Sequence, residues 1–237
     1  MKSKIAGFTV LAASMVFCAG MSAFGQTIVS VEYTGGYSTT WDGYAAGIYT
    51  GDVVGAPSSS GIICDDFNDT VTSGEKWNAK AFQVSTLVSS GNLDNTLFGK
   101  SIGVTGYAEV ATLVSMMFSG SKTYGSIGGI TQAEIASAIW DITTPGGIKG
   151  LNATALSLVN AIEKAFNGKT TAATNYLASL TNLWILTPAT LGKGEPQEMW
   201  TEGLSMAEGG APLMYLALAM LFCGWAFFRR TRDRISS

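Results

Sequence analysis

From Thr27 the chain alternates. Ile28, Ser30, Glu32 and Thr34 fall on one side, and Val29, Val31 and Tyr33 on the other. That is the period-two pattern of a strand with one buried face. Gly35 and Gly36 follow and predict a turn. "GYAAGIYTGDVV" and "SSGIICDDF" read as further short strands, and "KWNAKAFQVSTL" as another strand or an irregular crossing. The period then changes. Tyr107, Val110, Ala111, Val114, Met117 and Phe118 recur every three or four residues, which predicts a helix with one apolar face. In "GGITQAEIASAIWDIT", Thr131 and Glu134 fit a reciprocal N-terminal cap with Ile130 and Ile135 as its apolar staple. Ile135, Ala138, Ile139 and Ile142 form the buried stripe of that second helix, and Pro145 ends it. Asn152 caps a third helix carrying Leu158, Val159, Ile162 and Phe166, which Asn167 and Gly168 close. A fourth covers about 172–180, and "NLWILTPAT" reads as a closing strand. Strands first, helices in the middle and a strand at the end predict an α+β domain.

Hydropathy singles out both ends. Lys2 and Lys4 precede an apolar run from Ile5 to Val16, and the small residues Ala23 and Gly25 follow. Residues 1–25 therefore read as a signal peptide cleaved after Gly25. Ala211 to Phe228 is 18 residues without a charge, roughly 27 Å of helix, close to a bilayer's hydrocarbon thickness. Pro212 falls in its first turn, where a missing N–H costs nothing. Arg229, Arg230, Arg232 and Arg234 follow and mark the cytoplasmic side. The expected organisation is signal peptide (1–25), exported α+β domain (26–200), linker (201–210), transmembrane helix (211–228) and basic cytoplasmic tail (229–237). The body would lie outside the cytoplasm, held by a single C-terminal span.

Charge narrows the function classes. Between Gln26 and Gly210 there are eight lysines, no arginine and sixteen acids, a net charge of −8. That argues against a nucleic-acid partner. The chain has no histidine, so the usual general base, zinc ligand and Ser-His or Cys-His pairs are missing. Cys18 belongs to the leader and Cys223 to the span, so Cys64 is the only thiol of the body. It can form neither an internal disulfide nor a thiolate metal site. A non-enzymatic protein without metal or cofactor is expected. Asp65, Asp66, Asn68 and Asp69 read as a solvated strand end; as calcium ligands they lack a loop spaced around a glycine. Tyr33, Tyr37, Trp41, Tyr44 and Tyr49 either fill a core or stack on sugars.

"CDDFNDTVTSGEKWNA", "GYAEVATLV", "EIASAIWDI" and "ILTP…PQEMW" occur in that order. Together they resemble bacterial exported proteins with sorting tails of the PEP-CTERM kind, over roughly Tyr33 to Trp200. The resemblance implies a tail recognised by an exosortase, a membrane transpeptidase, and a setting in extracellular polysaccharide and biofilm. Before the span stands Gly209-Gly210-Ala211-Pro212, preceded by Glu208, rather than Pro-Glu-Pro. The two glycines are similar to GlyGly-CTERM tails, which implies a rhombosortase-like protease instead; a plain single-span anchor needs neither enzyme. The same motifs resemble the thioester domains of surface adhesins, which join a strand cysteine to a glutamine in a Gln-x-Ala-Ile-Trp helix. Cys64 and Ala138-Ile139-Trp140 match, but the glutamine position holds Ala136. Gln132 lies one helical turn earlier and is the remaining candidate partner. The expectation is a thioester-domain-like build without the reactive bond, with Cys64 a buried apolar group facing the Ile135–Trp140 helix. A covalent Cys64–Gln132 adhesin and a glycan-binding module are the alternatives.

Overall fold

The computed structural model describes residues 27–54, 56, 61–190, 196–204 and 220. The leader, the Gly209–Pro212 motif, the C-terminal span apart from Met220, and Arg229, Arg230, Arg232 and Arg234 lie outside the described residues.

Alternation builds strand β1 (Thr27–Trp41): Val29, Val31 and Tyr33 are buried while Ile28, Ser30 and Thr34 face solvent. Gly35 and Gly36 do not turn the chain. They take positive φ of 93° and 97° inside one long strand, beside a shift in its register against β2. The extra residues are absorbed as a bulge: pairing resumes at Tyr37 opposite Tyr49, and the register shifts once more before Thr39. The reversal comes later, at Asp42 (φ 47°) and Gly43 (φ 85°). Two positive φ angles in a two-residue loop match the twist of the flanking strands. β2 (Tyr44–Val53) pairs back on β1, with Trp41 opposite Tyr44.

β3 (Gly61–Cys64) and β4 (Lys76–Gln83) follow, so "KWNAKAFQ" is a strand. Helix α1 (Gly99–Ser119) is broken in backbone at Gly103, so its apolar stripe from Tyr107 onward lies on the regular part. A short hairpin, β5 (Thr123–Tyr124) and β6 (Ile127–Gly128), leads to α2 (Gln132–Thr143). α3 (Ala153–Phe166), α4 (Thr170–Ser179), β7 (Leu183–Pro188) and β8 (Met199–Glu202) complete the order. The fold is mixed α+β, with the four expected helices. The closing strand is joined by a second, β8, which runs through Trp200 to Glu202, and Leu204 beyond it is buried.

The strands close into an antiparallel barrel in the order β1-β2-β3-β8-β7-β4, with β4 returning to β1. Alternate residues of every strand point inward. Val31, Tyr33, Tyr49, Ile62, Cys64, Trp77 and Met199 share that interior cluster. Space is tight: a Cβ at Gly51 would sit 2.6 Å from Ile62 Cδ1. The opposite residues, Ile63, Phe82, Ile185 and Trp200, belong to a second cluster formed with the helices. α1 is the one described helix long and apolar enough to cross a membrane, yet its apolar side is sealed in this second cluster. All these elements fall in one compact unit, Gly25–Met206.

Candidate functional site

Cys64 ends β3 and is 1% exposed. Its Sγ donates to the Asp66 carbonyl at 3.0 Å and accepts from the Asp66 N–H at 3.3 Å. Burial pushes the thiol well above its ordinary range, and the neighbouring Asp65 and Asp66 add to the effect; the Asp66 N–H and the Trp140 indole oppose it only partly. The group is a neutral thiol at physiological pH, a poor nucleophile with no path to solvent. Trp140 beside the sulfur places α2 over Cys64, while the side chain itself joins the barrel interior.

Gln132 opens α2 and is half-buried. Its Oε1 hangs over Gly47 of β2, 3.3 Å from where a Cβ there would be. Ile48 pairs with Ile63, so Gly47 lies level with Cys64 on the adjacent strand. Gln132 is thus near the cysteine's strand, but the hydrogen bonds of the sulfur go to Asp66. Ala136 is buried on the same helix face, one turn from Trp140.

The acids after Cys64 are not a solvated strand end. Asp65 is fully buried and Asp66 is 2% exposed. The chain turns inward there because α2 and the segment before β8 both bind it: Thr143 Oγ1 donates to the Asp65 carbonyl at 2.6 Å, and Gln197 Nε2 donates to the Asp66 and Asp69 carbonyls. Asp66 Oδ1 accepts from the Asn68 N–H at 2.9 Å, a side-chain closure of a turn. The carboxylates diverge, and no group of three potential ligands converges among the described residues.

Asp65 instead meets Glu198. Trp200 Nε1 donates to Asp65 Oδ2 at 2.6 Å. Glu198 accepts from the Tyr107 hydroxyl at 2.7 Å, the Leu97 N–H at 2.7 Å and the Thr187 hydroxyl. Asp65 Oδ1 is buried without a conventional donor. Burial, followed by the charge of Glu198 within hydrogen-bonding reach, drives the Asp65 carboxyl well above its usual range. Burial raises Glu198 too, but its three donors and Asp65 itself favour the carboxylate. Of the two, Asp65 is raised the further and holds the proton, while Glu198 carries the charge. Both are sealed from solvent, so the pair braces the barrel against α1 and cannot reach a substrate.

The aromatics separate into two groups. Tyr33 and Tyr49 pack edge to face inside the barrel, centroids 5.7 Å apart. Trp41 and Tyr44 flank the β1–β2 turn and line an open groove of about 290 Å³ with Asp42, Phe67 and Lys149. Tyr44 meets Phe67 at 5.1 Å, and Phe67 meets Trp140 at 5.4 Å. The groove joins three distant stretches: the first hairpin, the loop after Cys64 and the loop after α2. "WDGY" shows a two-residue turn between aromatics in sequence, but nothing in the sequence ties Lys149 to it. Glu198 was likewise visible only as part of "PQEMW".

Comparison with protein-family models, with curated proteins and with solved structures gives no match to this chain.

Proposed function

We propose that this chain is an exported, non-enzymatic protein of the cell surface or extracellular matrix, tethered by its C-terminal span and acting in adhesion without a covalent bond. The observation that carries the reading is the arrangement of charge and hydropathy: two apolar ends, an acidic body between them and four arginines after the second. The motifs shared with PEP-CTERM proteins support a tail read by an exosortase-like or rhombosortase-like enzyme and a setting in extracellular polysaccharide. The non-covalent character draws on Cys64, whose sulfur is enclosed and engaged by Asp66, and on Ala136 at the position where a thioester partner would stand. The thioester-domain-like build enters the proposal on the motif order alone. Fractionation with protease protection tests the tether. Membrane-associated chain whose body is digested from outside supports it; intact chain in the cytosol refutes it. The mass of the mature protein tests processing, since retention of Arg229–Ser237 makes the tail a plain anchor.

A further inference from the structure

We infer that the groove between the β1–β2 turn and the loop after α2 is a saccharide subsite. This rests on the adhesive reading above and names its ligand class. Trp41 and Tyr44 are cross-strand partners, so both rings leave the same face of the hairpin. Tyr44 is 54% exposed, an uncommon state for a large ring. Its position is nevertheless fixed, because Phe67 abuts it edge to face and is itself backed by the buried Trp140. A rigid aromatic with two torsions anchors a ligand at low entropic cost.

Asp42 and Lys149 line the same groove, and among the described residues neither belongs to an ion pair. Asp42 is held in the left-handed turn conformation, φ 47°, between Trp41 and Tyr44 in the chain, and lines the groove with them. A pyranose has an apolar C–H face and a rim of hydroxyls. The rings take the face; the carboxylate accepts from the rim and the ammonium donates to it, both as charge-assisted bonds. A purely apolar occupant would strip water from two charges and return no bonds. A polyanionic nucleic acid meets a body of net charge −8. The volume of about 290 Å³ is at the small end of ligand clefts, roughly 300–1,000 Å³. It suits one or two sugar units of a longer chain, with useful avidity coming from many copies on one polymer.

The test uses the full-length chain in detergent micelles. Cellohexaose, chitohexaose, an oligogalacturonate and polysaccharide extracted from the producing cells are titrated calorimetrically, beside a peptide of mixed apolar and charged residues. The expected result is saturable binding of at least one saccharide in the range of about 10 μM to 1 mM. Tyr44→Ala should weaken it at least tenfold without lowering Tm. Asp42→Asn, which tolerates the same backbone, and Lys149→Ala should each weaken it severalfold. Tyr37→Ala, exposed on β1 outside the groove, should leave it unchanged. Absence of binding to every saccharide overturns the subsite, as does equal weakening by Tyr37→Ala and Tyr44→Ala. Binding of the peptide alone reassigns the groove to a peptide partner and equally overturns it. Fractionation reads the tether separately: sugar binding through Tyr44 by a chain found only in cytosol refutes the surface reading and leaves the subsite standing.

Discussion

A buried carboxylate oxygen without a donor is costly, and Asp65 Oδ1 is one. Protonation of the Asp65 carboxyl, favoured by burial and by the charge of Glu198, reduces the cost. The sign of its pH dependence follows. The folded state binds a proton that the unfolded chain releases above about pH 4, so stability falls as pH rises, by about 1.4 kcal/mol per pH unit for one proton until Asp65 ionises in the fold. Asp65→Asn keeps a donor toward Glu198 and never titrates. It should make the stability–pH curve less steep between pH 5 and 8 and remove the infrared band of a protonated carboxyl at pH 8, where Glu109 is ionised. Asp65→Ala strands Trp200 Nε1 and Glu198 and should cost on the order of 3 kcal/mol. Equal slopes for the native chain and Asp65→Asn would show that the pair holds no proton. Cys64 makes a second residue-scale prediction. Iodoacetamide should label it only after denaturation, and the intact mass should show no loss of ammonia. Such a loss, abolished by Cys64→Ala, would establish a thioester and refute the non-covalent reading.

Helix α2 backs the groove through Trp140 against Phe67 and holds the segment after Cys64 through Thr143, so its ends matter. At its start Thr131 Oγ1 accepts from the Glu134 N–H at 3.2 Å, and Glu134 Oε2 accepts from the Thr131 N–H at 2.8 Å. Burial alone would raise the Glu134 carboxyl. The Thr131 N–H, the Asn152 amide and the Thr131 hydroxyl outweigh it and leave the group below its ordinary range. That contribution is present above about pH 4 and is lost as pH falls through the lowered value. Asn152 Nδ2 donates to Glu134 Oε1 at 2.9 Å, while Asn152 Oδ1 caps α3, so one side chain couples two helix starts. Thr131→Ala should cost about 1 kcal/mol, a drop of about 2–4 °C in Tm for a chain of this size. At the other end Thr143 holds the Asp65 carbonyl, fixing the loop that carries Phe67 to the groove.

For the whole molecule, the raised carboxyls decide the direction of acid–base behaviour. Glu109 on α1 is buried and faces the charge of Glu163 on α3; burial first, then that charge, lifts it to about 7. Its share of stability is complete at pH 4 and disappears as pH climbs through 7. Asp65 acts in the same sense. The protein should therefore melt higher at pH 5.5 than at pH 8, and Glu109→Gln should reduce that gap. A flat or inverted profile in scanning calorimetry would refute both assignments. Barrel closure places this chemistry, because β8 inserts between β3 and β7. It carries Trp200 and draws the preceding Glu198 to Asp65, more than a hundred residues earlier in the chain.

Local physics was legible in the sequence. Period two gave β1 with its buried face, period 3.6 gave the first three helices, the fourth was placed only approximately, and Thr131, Glu134, Asn152 and Gly168 marked helix ends, because propensity and capping depend on neighbours a few positions away. The Gly35-Gly36 reading failed for a related reason: glycine permits positive φ but does not decide between a bulge and a reversal, and the strand pairing did. What lay beyond reach was everything fixed by register between distant strands. The acids after Cys64 read as solvated because their charge is local, while the partners that hold them, Trp200, Gln197, Thr143 and Glu198, arrive from the far end and from α2. Lys149 joins Asp42 and Tyr44 only because α2 ends beside the first hairpin. The sequence determined which segments are apolar enough to pair and pack; closure of the barrel decided which polar groups meet, since burial of a charge is settled by its neighbours in space.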